Sequence, residues 1–217
     1  MTFSIVARCP ETGRIGAATA TGGPAVGALV LHGESQVGAI ATQAMTNPIA
    51  GLKGIGWLRQ GLGASACLER MLAEDGSRDL RQWIVIDSQG KSSDWTGRAC
   101  LPWCGSLSEK NLAIAGNMLA GEQVIHTMQR SYRHNNHLEL TDRLLLAMQA
   151  GAEAGGDYRG IRSAALQVWN NRHYADIDIR CDWSDDPLSE LAVILKQVRA
   201  ANYANFFAQI PTGNEDR

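Results

Sequence analysis

The chain has 217 residues, of which 45% are hydrophobic and 19% are charged, and its formal net charge is -2 at pH 7. These values are typical of one soluble globular domain, and so small a net charge gives no electrostatic reason to expect nucleic acid or an anionic membrane as a partner. The longest apolar stretches fall well short of the roughly 20 residues of a spanning helix, and the first residues lack the pattern of a signal peptide, so we expect a cytoplasmic protein.

The start of the chain predicts a β-hairpin. Residues 2–8 alternate like a half-buried strand, residues 10–13 have the composition of a tight turn, and residues 15–21 form the returning strand. With the loop centred between residues 11 and 12, Thr2 and Ser4 share one face of the hairpin with Thr19 and Thr21. We therefore expect several hydroxyl groups close to the start of the chain, and the alternative is a polar face turned to solvent.

Thr2 directly follows the initiator methionine and is a candidate nucleophile. If Met1 is removed, one residue carries both a free α-amine and a hydroxyl. A threonine hydroxyl is a poor nucleophile until a base removes its proton, and an α-amine with a reference pKa of about 7.7 to 8.0 can be that base. The alternative is an ordinary first strand, because many chains begin in this way.

A glycine-rich turn, residues 22–27, follows the hairpin. Gly22 and Gly23 allow backbone N–H groups to approach another group closely, so this turn is a candidate pocket wall. It lacks the lysine and the following helix of a phosphate-binding loop. Residues 36–45 then predict a third strand, and the apolar spacing up to Asp75 predicts two short helices interrupted at Gly61 and Gly63.

The second half of the chain repeats this order of strands and helices. The predicted strands cover residues 81–87, 91–96, 111–115, 162–169 and 174–180. The predicted helices cover residues 122–132 and 138–154, and a last helix starts at Asp186-Pro187. Strands and helices that follow each other in separate groups favour sheets with helices packed on their outer faces over alternating βαβ units.

Several separate motifs resemble those of an uncharacterised family among the N-terminal nucleophile hydrolases. They are MTFSIVARCPETGRIGAATATGGPAVGALV at the start, VGAIATQAMTNP, TGRACLPWCG, GNMLAG and GDYRGIRSAAL, and they occur in the expected order. The resemblance implies an α+β fold, the four-layer αββα sandwich of two antiparallel sheets flanked by helices. It covers nearly the whole chain, so we expect a single domain, residues 1–217, with a flexible tail over about residues 205–217.

The resemblance also implies that Thr2 is the nucleophile and that its own amine is the base. Proteasome-like members of the superfamily add a lysine on the third strand, whereas this chain has Glu34, Ser35, Gln36 and Thr42 in that region. A proteasome-type mechanism is therefore not assumed.

An acyl-transfer site also needs hydrogen-bond donors for the oxyanion. Asn117 is the preferred side-chain donor, and its alternative role is to cap the helix that starts near Gly121. Gln43 and Asn47 are candidates for substrate orientation, although a turn at Asn47-Pro48 is the alternative for the second.

The remaining candidate substrate-binding residues lie near the hairpin and near a later strand. Thr19, Thr21, Gly22 and Gly23 come from the hairpin and its loop. Ser163 opens a strand beside Arg159 and Arg162, and either arginine is a candidate partner for a substrate carboxylate, with a solvated surface arginine as the alternative.

The cysteines and histidines predict neither a metal site nor a cofactor. Five scattered cysteines do not suggest a disulfide framework, and Cys100 and Cys104 have no second ligand pair at zinc-binding spacing. His134 and His137 fall in a polar segment, and His32 suits a structural hydrogen bond better than catalysis. The six tryptophans suggest core and interface anchors, in keeping with a homo-oligomer.

Two classes of function follow. The first is a hydrolase that cleaves an amide or related C–N bond of a small molecule through Thr2. The second is a non-catalytic small-molecule-binding or assembly protein that retains the fold. A cysteine nucleophile at Cys100 or Cys104 is a third possibility, but no nearby base supports it.

Overall fold

The computed structural model describes residues 2–214 and contains ten strands and six α-helices within them. The strands are β1 (Thr2–Arg8), β2 (Ile15–Thr21), β3 (Leu31–Glu34), β4 (Gly38–Ala44), β5 (Arg81–Asp87), β6 (Ser92–Thr96), β7 (Gly105–Glu109), β8 (Leu112–Asn117), β9 (Ser163–Trp169) and β10 (Ile177–Cys181). The helices are α1 (Pro48–Arg59), α2 (Ala64–Glu74), α3 (Gln123–His134), α4 (Leu140–Glu153), α5 (Pro187–Val198) and α6 (Ala201–Ala208).

The strands form two antiparallel sheets that pack face to face. One sheet has the order β10-β9-β2-β1-β8-β7, and the other has the order β3-β4-β5-β6. Helices α3, α4 and α5 cover the outer face of the larger sheet, and helices α1 and α2 cover the outer face of the smaller one. The result is a four-layer αββα sandwich, which confirms the predicted fold class. Within residues 2–214, no helix combines the length and apolarity needed to cross a bilayer.

The register of the first hairpin agrees with the prediction. Ser4 pairs with Thr19, and Val6 pairs with Ala17. The loop is closed by a hydrogen bond from the Cys9 N–H to the Arg14 carbonyl over 2.8 Å. Phe3 and Ile5 point into the core beneath α3 and α4, so the hydroxyl face is the inner one. The alternative of a solvent-facing polar side is wrong, because Thr2, Ser4, Thr19 and Thr21 are all buried.

Two strands were not predicted from the sequence, and several predicted boundaries shift, such as the start of the strand predicted at residues 174–180, which begins at Ile177. The predicted third strand at residues 36–45 begins at Gly38, because Gln36 has a left-handed φ of 62° and forms the turn that joins β3 to β4. Strand β3 is short and β7 is largely polar, so neither shows the alternation by which a strand is recognised. The predicted break between α1 and α2 is confirmed at residues 60–63, where Gly61 has a φ of 94°.

Helical structure continues past residue 205, where the flexible tail was predicted to start. Helix α6 extends to Ala208, and the Tyr174 hydroxyl donates to the Pro211 carbonyl over 2.9 Å. Residues 215–217 of the predicted tail lie outside the described residues.

Candidate functional site

The layer between the two sheets changes from apolar to polar toward the end at which Thr2 lies. On each contributing strand the inward-facing residues alternate with outward-facing ones, as strand geometry requires. The apolar part includes Val6, Ala17, Ala41, Ile84 and Ala115. The polar part contains Thr2, Ser4, Thr19, Gln43, Gln82 and Asn117, all of which are buried. Because buried polar groups are costly unless they are hydrogen bonded, this concentration marks a candidate site.

Thr2 lies at the centre of the polar end, with 7% of its surface exposed. It stands opposite Asn117 in the pairing of β1 with β8, so the two side chains share one face. Its Oγ1 donates to Thr21 Oγ1 over 3.3 Å. Its carbonyl oxygen accepts from Gln43 Nε2 at 3.3 Å and from Asn117 Nδ2 at 3.5 Å. Two side-chain amides from different sheets therefore fix the backbone of the candidate nucleophile.

Ser4 links this group to the hairpin partner strand. Its hydroxyl donates to Gln43 Oε1 over 2.5 Å and lies 2.8 Å from Thr19 Oγ1. Thr19, which the sequence places on the Thr2 face, is thus connected to the site through Ser4. The hydroxyl of Ser4 sets the direction of the Gln43 amide, whose nitrogen then points to the Thr2 carbonyl.

Gln82 connects the Gln43 and Asn117 amides, and the sequence did not predict it as a site residue. Its Oε1 accepts from Gln43 Nε2 at 2.7 Å and from Asn117 Nδ2 at 3.0 Å. Its Nε2 donates to Thr96 Oγ1 at 2.9 Å and to the Gly116 carbonyl at 2.8 Å. Strand alternation could have indicated Gln82, because this residue shares one face of its strand with Ile84 and Ile86, so that an amide stands in an otherwise apolar row.

The hydrogen bonds continue from Gln82 toward an acidic group. Thr96 Oγ1 lies 2.9 Å from Ser106 Oγ, and Ser106 Oγ donates to Asp94 Oδ2 over 2.5 Å. Asp94 and Ser106 are half-buried, so this chain of contacts connects the polar end of the core with a partly solvated carboxylate. Among the described residues, the side chains that hydrogen bond around Thr2 itself are hydroxyls and amides, and no lysine is among them.

A cavity of about 340 Å³ opens beside Asn117. Its wall consists of residues 44–45, Leu80, residues 99–101 and residues 117–118, and Asn117 provides the only side-chain amide in that set. Two backbone hydrogen bonds fix the wall, from the Met45 N–H to the Leu80 carbonyl at 3.2 Å and from the Met118 N–H to the Leu101 carbonyl at 3.0 Å. Larger described cavities border other residues, such as Arg59 and His173.

Two residues of this wall have strained backbones. Ala44 has a φ of 65° and Met118 has a φ of 52°, and each directly follows an amide of the network, Gln43 or Asn117. A left-handed conformation costs a residue with a side chain roughly 1–2 kcal/mol. Such strain concentrates at functional sites, where the surrounding structure maintains it. Two of the five described non-glycine residues with a left-handed φ thus border this cavity.

The glycine-rich turn is clamped by a buried carboxylate. Asp157 Oδ2 accepts from the Gly22 N–H at 2.6 Å, and Asp157 Oδ1 accepts from the Arg159 N–H at 2.7 Å. The Arg159 guanidinium also forms an ion pair with Asp157 over 3.3 Å. Ser163 Oγ donates to the Gly23 carbonyl over 2.7 Å and accepts from the Val26 N–H at 3.1 Å. Arg159 and Ser163 thus hold the loop beyond Thr21.

Asn47 has a structural role. Its Oδ1 accepts from the Ala50 N–H at 3.1 Å at the N-terminus of α1, and its Nδ2 donates to Asp75 Oδ2 over 2.8 Å. Burial alone would raise the pKa of Asp75, but hydrogen bonds from Arg81, Asn47 and the Ser77 N–H outweigh it and hold this pKa below its usual value. Both ends of the Asn47 amide are occupied, so the structure lends no support to its expected substrate role. The capping role considered for Asn117 is also wrong, because α3 has Glu122 at its N-cap.

The cysteines near the cavity do not have the features of nucleophiles. Burial raises the pKa of Cys100, and its Sγ donates to the Arg81 carbonyl over 3.3 Å. Burial also raises the pKa of Cys104, which donates to the Cys100 carbonyl over 3.5 Å. A reactive thiol needs a lowered pKa, which neither has. Among residues 2–214, no group of three or more His, Cys, Asp or Glu side chains is arranged to hold a metal ion.

The fold and the buried polar site define a four-layer αββα protein whose first strand carries a threonine between the sheets. The chain belongs to a family of unknown function, DUF1028, whose model matches residues 2–191. A crystal structure of protein SPO2555 from Silicibacter pomeroyi, which carries the same family assignment, is 30% identical with a TM-score of 0.91 and 97% and 95% coverage of this chain and that chain. Anbu (ancestral beta-subunit) from Yersinia bercovieri is 12% identical, with a TM-score of 0.37 and coverage of 96% and 98%, a likeness from which we draw nothing. No curated protein matches the chain.

Proposed function

We propose that this protein is an N-terminal nucleophile hydrolase that cleaves an amide or related C–N bond of a small molecule. Removal of Met1 would make Thr2 the first residue and supply the α-amine that acts as base. The observation that carries the proposal is the position of Thr2, which is buried on the inner face of a central strand opposite Asn117. A solvent-facing first strand would not have two buried side-chain amides, those of Gln43 and Asn117, in contact with the Thr2 carbonyl.

The reaction has two halves, and Thr2 takes part in both. The α-amine removes the proton of Thr2 Oγ1, and the oxygen attacks the carbonyl carbon of the substrate to give a tetrahedral oxyanion. Collapse breaks the C–N bond, the amine passes the proton to the leaving nitrogen, and an acyl ester remains on Thr2. A water molecule, deprotonated by the same amine, then attacks the ester. Collapse releases the carboxylic acid, and the proton returns to Oγ1.

Asn117 is the side-chain donor for the oxyanion. Its Nδ2 makes a 3.0 Å hydrogen bond with Gln82 Oε1, which fixes the amide, and a long 3.5 Å contact with the Thr2 carbonyl. The long contact is the one that an oxyanion would replace, since the hydrogen bond to Gln82 keeps the second N–H in place. Removal of one oxyanion donor typically lowers kcat by about 10²–10³. We expect this loss in Asn117→Ala, with the free energy of unfolding measured in parallel.

The test begins with the N-terminus of the purified protein. Intact mass gives the fraction of molecules that start at Thr2, and only that fraction is expected to hydrolyse a panel of amide, peptide and imide substrates. Thr2→Ser should retain turnover and Thr2→Ala should abolish it, whereas Thr12→Ala in the exposed hairpin loop should have the wild-type rate. Turnover by Thr2→Ala at the wild-type rate, or activity in material that fully retains Met1, would rule out this mechanism.

The second candidate function is a small-molecule-binding protein with no covalent step. The observation that favours it is the lack of an ionisable side chain among the described hydrogen-bond partners of Thr2 and the two amides beside it. It predicts that amides bind to protein with a verified free Thr2 and are recovered unchanged, and that an electrophile directed at the hydroxyl leaves no mass shift.

A further inference from the structure

We propose that the cavity beside Asn117 takes the uncharged, apolar acyl group of a carboxamide substrate. This inference rests on the proposed function, because it assigns the cavity to the acyl side of the bond that Thr2 would cleave. Its volume of about 340 Å³ is more than twice the roughly 150 Å³ of a cavity that holds benzene, so an acyl group of about six to ten carbon atoms fits.

The chemistry of the wall favours an apolar occupant. The side chains that line the cavity are those of alanine, leucine, methionine and cysteine, apart from the amide of Asn117, and none carries a formal charge. Burial raises the pKa of the Cys100 thiol, so this side chain stays neutral as well. A carboxylate or ammonium group in the cavity would lose its hydration without gaining an ion pair. A single oriented amide in an apolar wall is suited to one carbonyl oxygen and an alkyl chain.

The position of Asn117 favours the acyl side over the amine side. The carbonyl carbon stays bonded to Thr2 Oγ1 through both halves of the reaction, whereas the amine leaves after the first half. A pocket that adjoins the oxyanion donor therefore contacts the acyl group throughout. The leaving amine becomes an ammonium ion in neutral water, and an apolar wall with no acidic side chain offers it nothing.

Backbone contacts fix the wall of the cavity. The backbone hydrogen bonds of Met45 and Met118 hold this wall, which includes the left-handed residues Ala44 and Met118. Leu101 lies at the mouth with 58% of its surface exposed, and Met45 lies there with 63% exposed. Exposed apolar side chains around an apolar cavity extend the surface that an acyl chain covers.

The test uses binding to the Thr2→Ala protein, which is independent of turnover. Acetamide, butanamide and hexanamide are titrated by calorimetry together with adipamic acid, which has the length of hexanamide and a terminal carboxylate. Each buried CH₂ group contributes about 0.8 kcal/mol, or about fourfold in affinity. We expect hexanamide to bind on the order of 100-fold more tightly than acetamide and at least tenfold more tightly than adipamic acid.

A charge placed at the mouth gives a second measurement. Leu101→Glu should weaken hexanamide binding at least tenfold, and Val193→Glu, at a site on α5 that is 56% exposed, should not change it. The inference is overturned if acetamide and hexanamide bind within twofold of each other, if adipamic acid binds as tightly as hexanamide, or if Leu101→Glu has no effect.

Turnover separates this inference from the proposed function. If affinity increases with acyl length but protein with a free Thr2 cleaves none of these carboxamides, the hydrolase proposal fails and the cavity stands as a binding site for apolar carboxamides. If the protein cleaves amides at rates that do not depend on acyl length, the pocket assignment fails and the hydrolase proposal stands.

Discussion

Replacement of Gln82 by leucine should destabilise the protein strongly, although the two side chains are similar in size. Gln82 is fully buried and its amide takes part in hydrogen bonds with Gln43, Asn117, Thr96 and the backbone. Leucine removes all of these bonds at once and leaves no large cavity. The loss is therefore due to hydrogen bonding and hardly to packing.

The size of the effect follows from the donors that lose their partner. The N–H donors of the Gln43 and Asn117 amides keep only their contacts with the Thr2 carbonyl, at 3.3 and 3.5 Å. Each buried donor left short of a partner costs about 1–3 kcal/mol, and transfer of leucine into the core offsets about 1–2 kcal/mol of the sum. We expect a net loss of about 3 kcal/mol, which for a chain of this size lowers Tm by about 6–12 °C.

Urea unfolding followed by tryptophan fluorescence measures this difference, because the neighbouring Trp83 is fully buried. Gln89→Leu, in the exposed turn after β5, is the matched control and should change the free energy of unfolding by no more than about 0.5 kcal/mol. A loss below about 1 kcal/mol for Gln82→Leu, at an unchanged m value, would refute the view that this amide organises the polar end of the core.

Three further predictions concern the surroundings of the site. The pKa of Asp75 is lowered in the folded state, so the stability that this carboxylate contributes is present above its unfolded pKa and is lost as pH falls through the folded pKa. Urea unfolding measured from pH 7 to pH 2 should therefore show a smaller acid-induced loss of stability in Asp75→Asn than in the wild type. Gly22→Ala should lower Tm, because the added Cβ would lie 2.7 Å from a buried carboxylate oxygen of Asp157. Gly23→Ala should be tolerated, because the nearest atom to its Cβ would be 3.9 Å away. Equal Tm values for the two variants would contradict this account of the loop. Cys104→Ser should retain any hydrolytic activity with a free N-terminus, and Cys100→Ser should retain kcat with at most a change in KM, because Cys100 lines the cavity. Loss of turnover in either folded variant would restore the thiol mechanism.

The sequence predicted the part of the site that depends on local pairing. A tight turn and strict alternation on both strands set the hairpin register, so the positions of Thr19 and Thr21 relative to Thr2 followed from spacing alone. Gln43 was selected for its position at the third strand and Asn117 for its position between glycines and a helix start, and the structure brings both to the Thr2 carbonyl. Their catalytic role stays a prediction.

The rest of the site depends on contacts that spacing cannot supply. Gln82 stands directly opposite Gln43 in the pairing of β4 with β5, but the sequence does not tell which face of β5 meets the other sheet. The cavity forms because residues 99–101 fold onto the end of β8, far along the chain from Ala44. The sequence did not predict a partner for Arg159, whereas in the structure its guanidinium forms an ion pair with Asp157, two positions away.

The position of β1 between β2 and β8 sets the order in which the site is assembled during synthesis. Thr2 and its hairpin partner strand lie close together in the sequence, whereas Asn117 lies 115 positions after Thr2. Until β8 is made, one edge of β1 has no partner. If Met1 is removed, as the proposed function requires, the bond before Thr2 is most accessible before the strand that carries Asn117 pairs with β1.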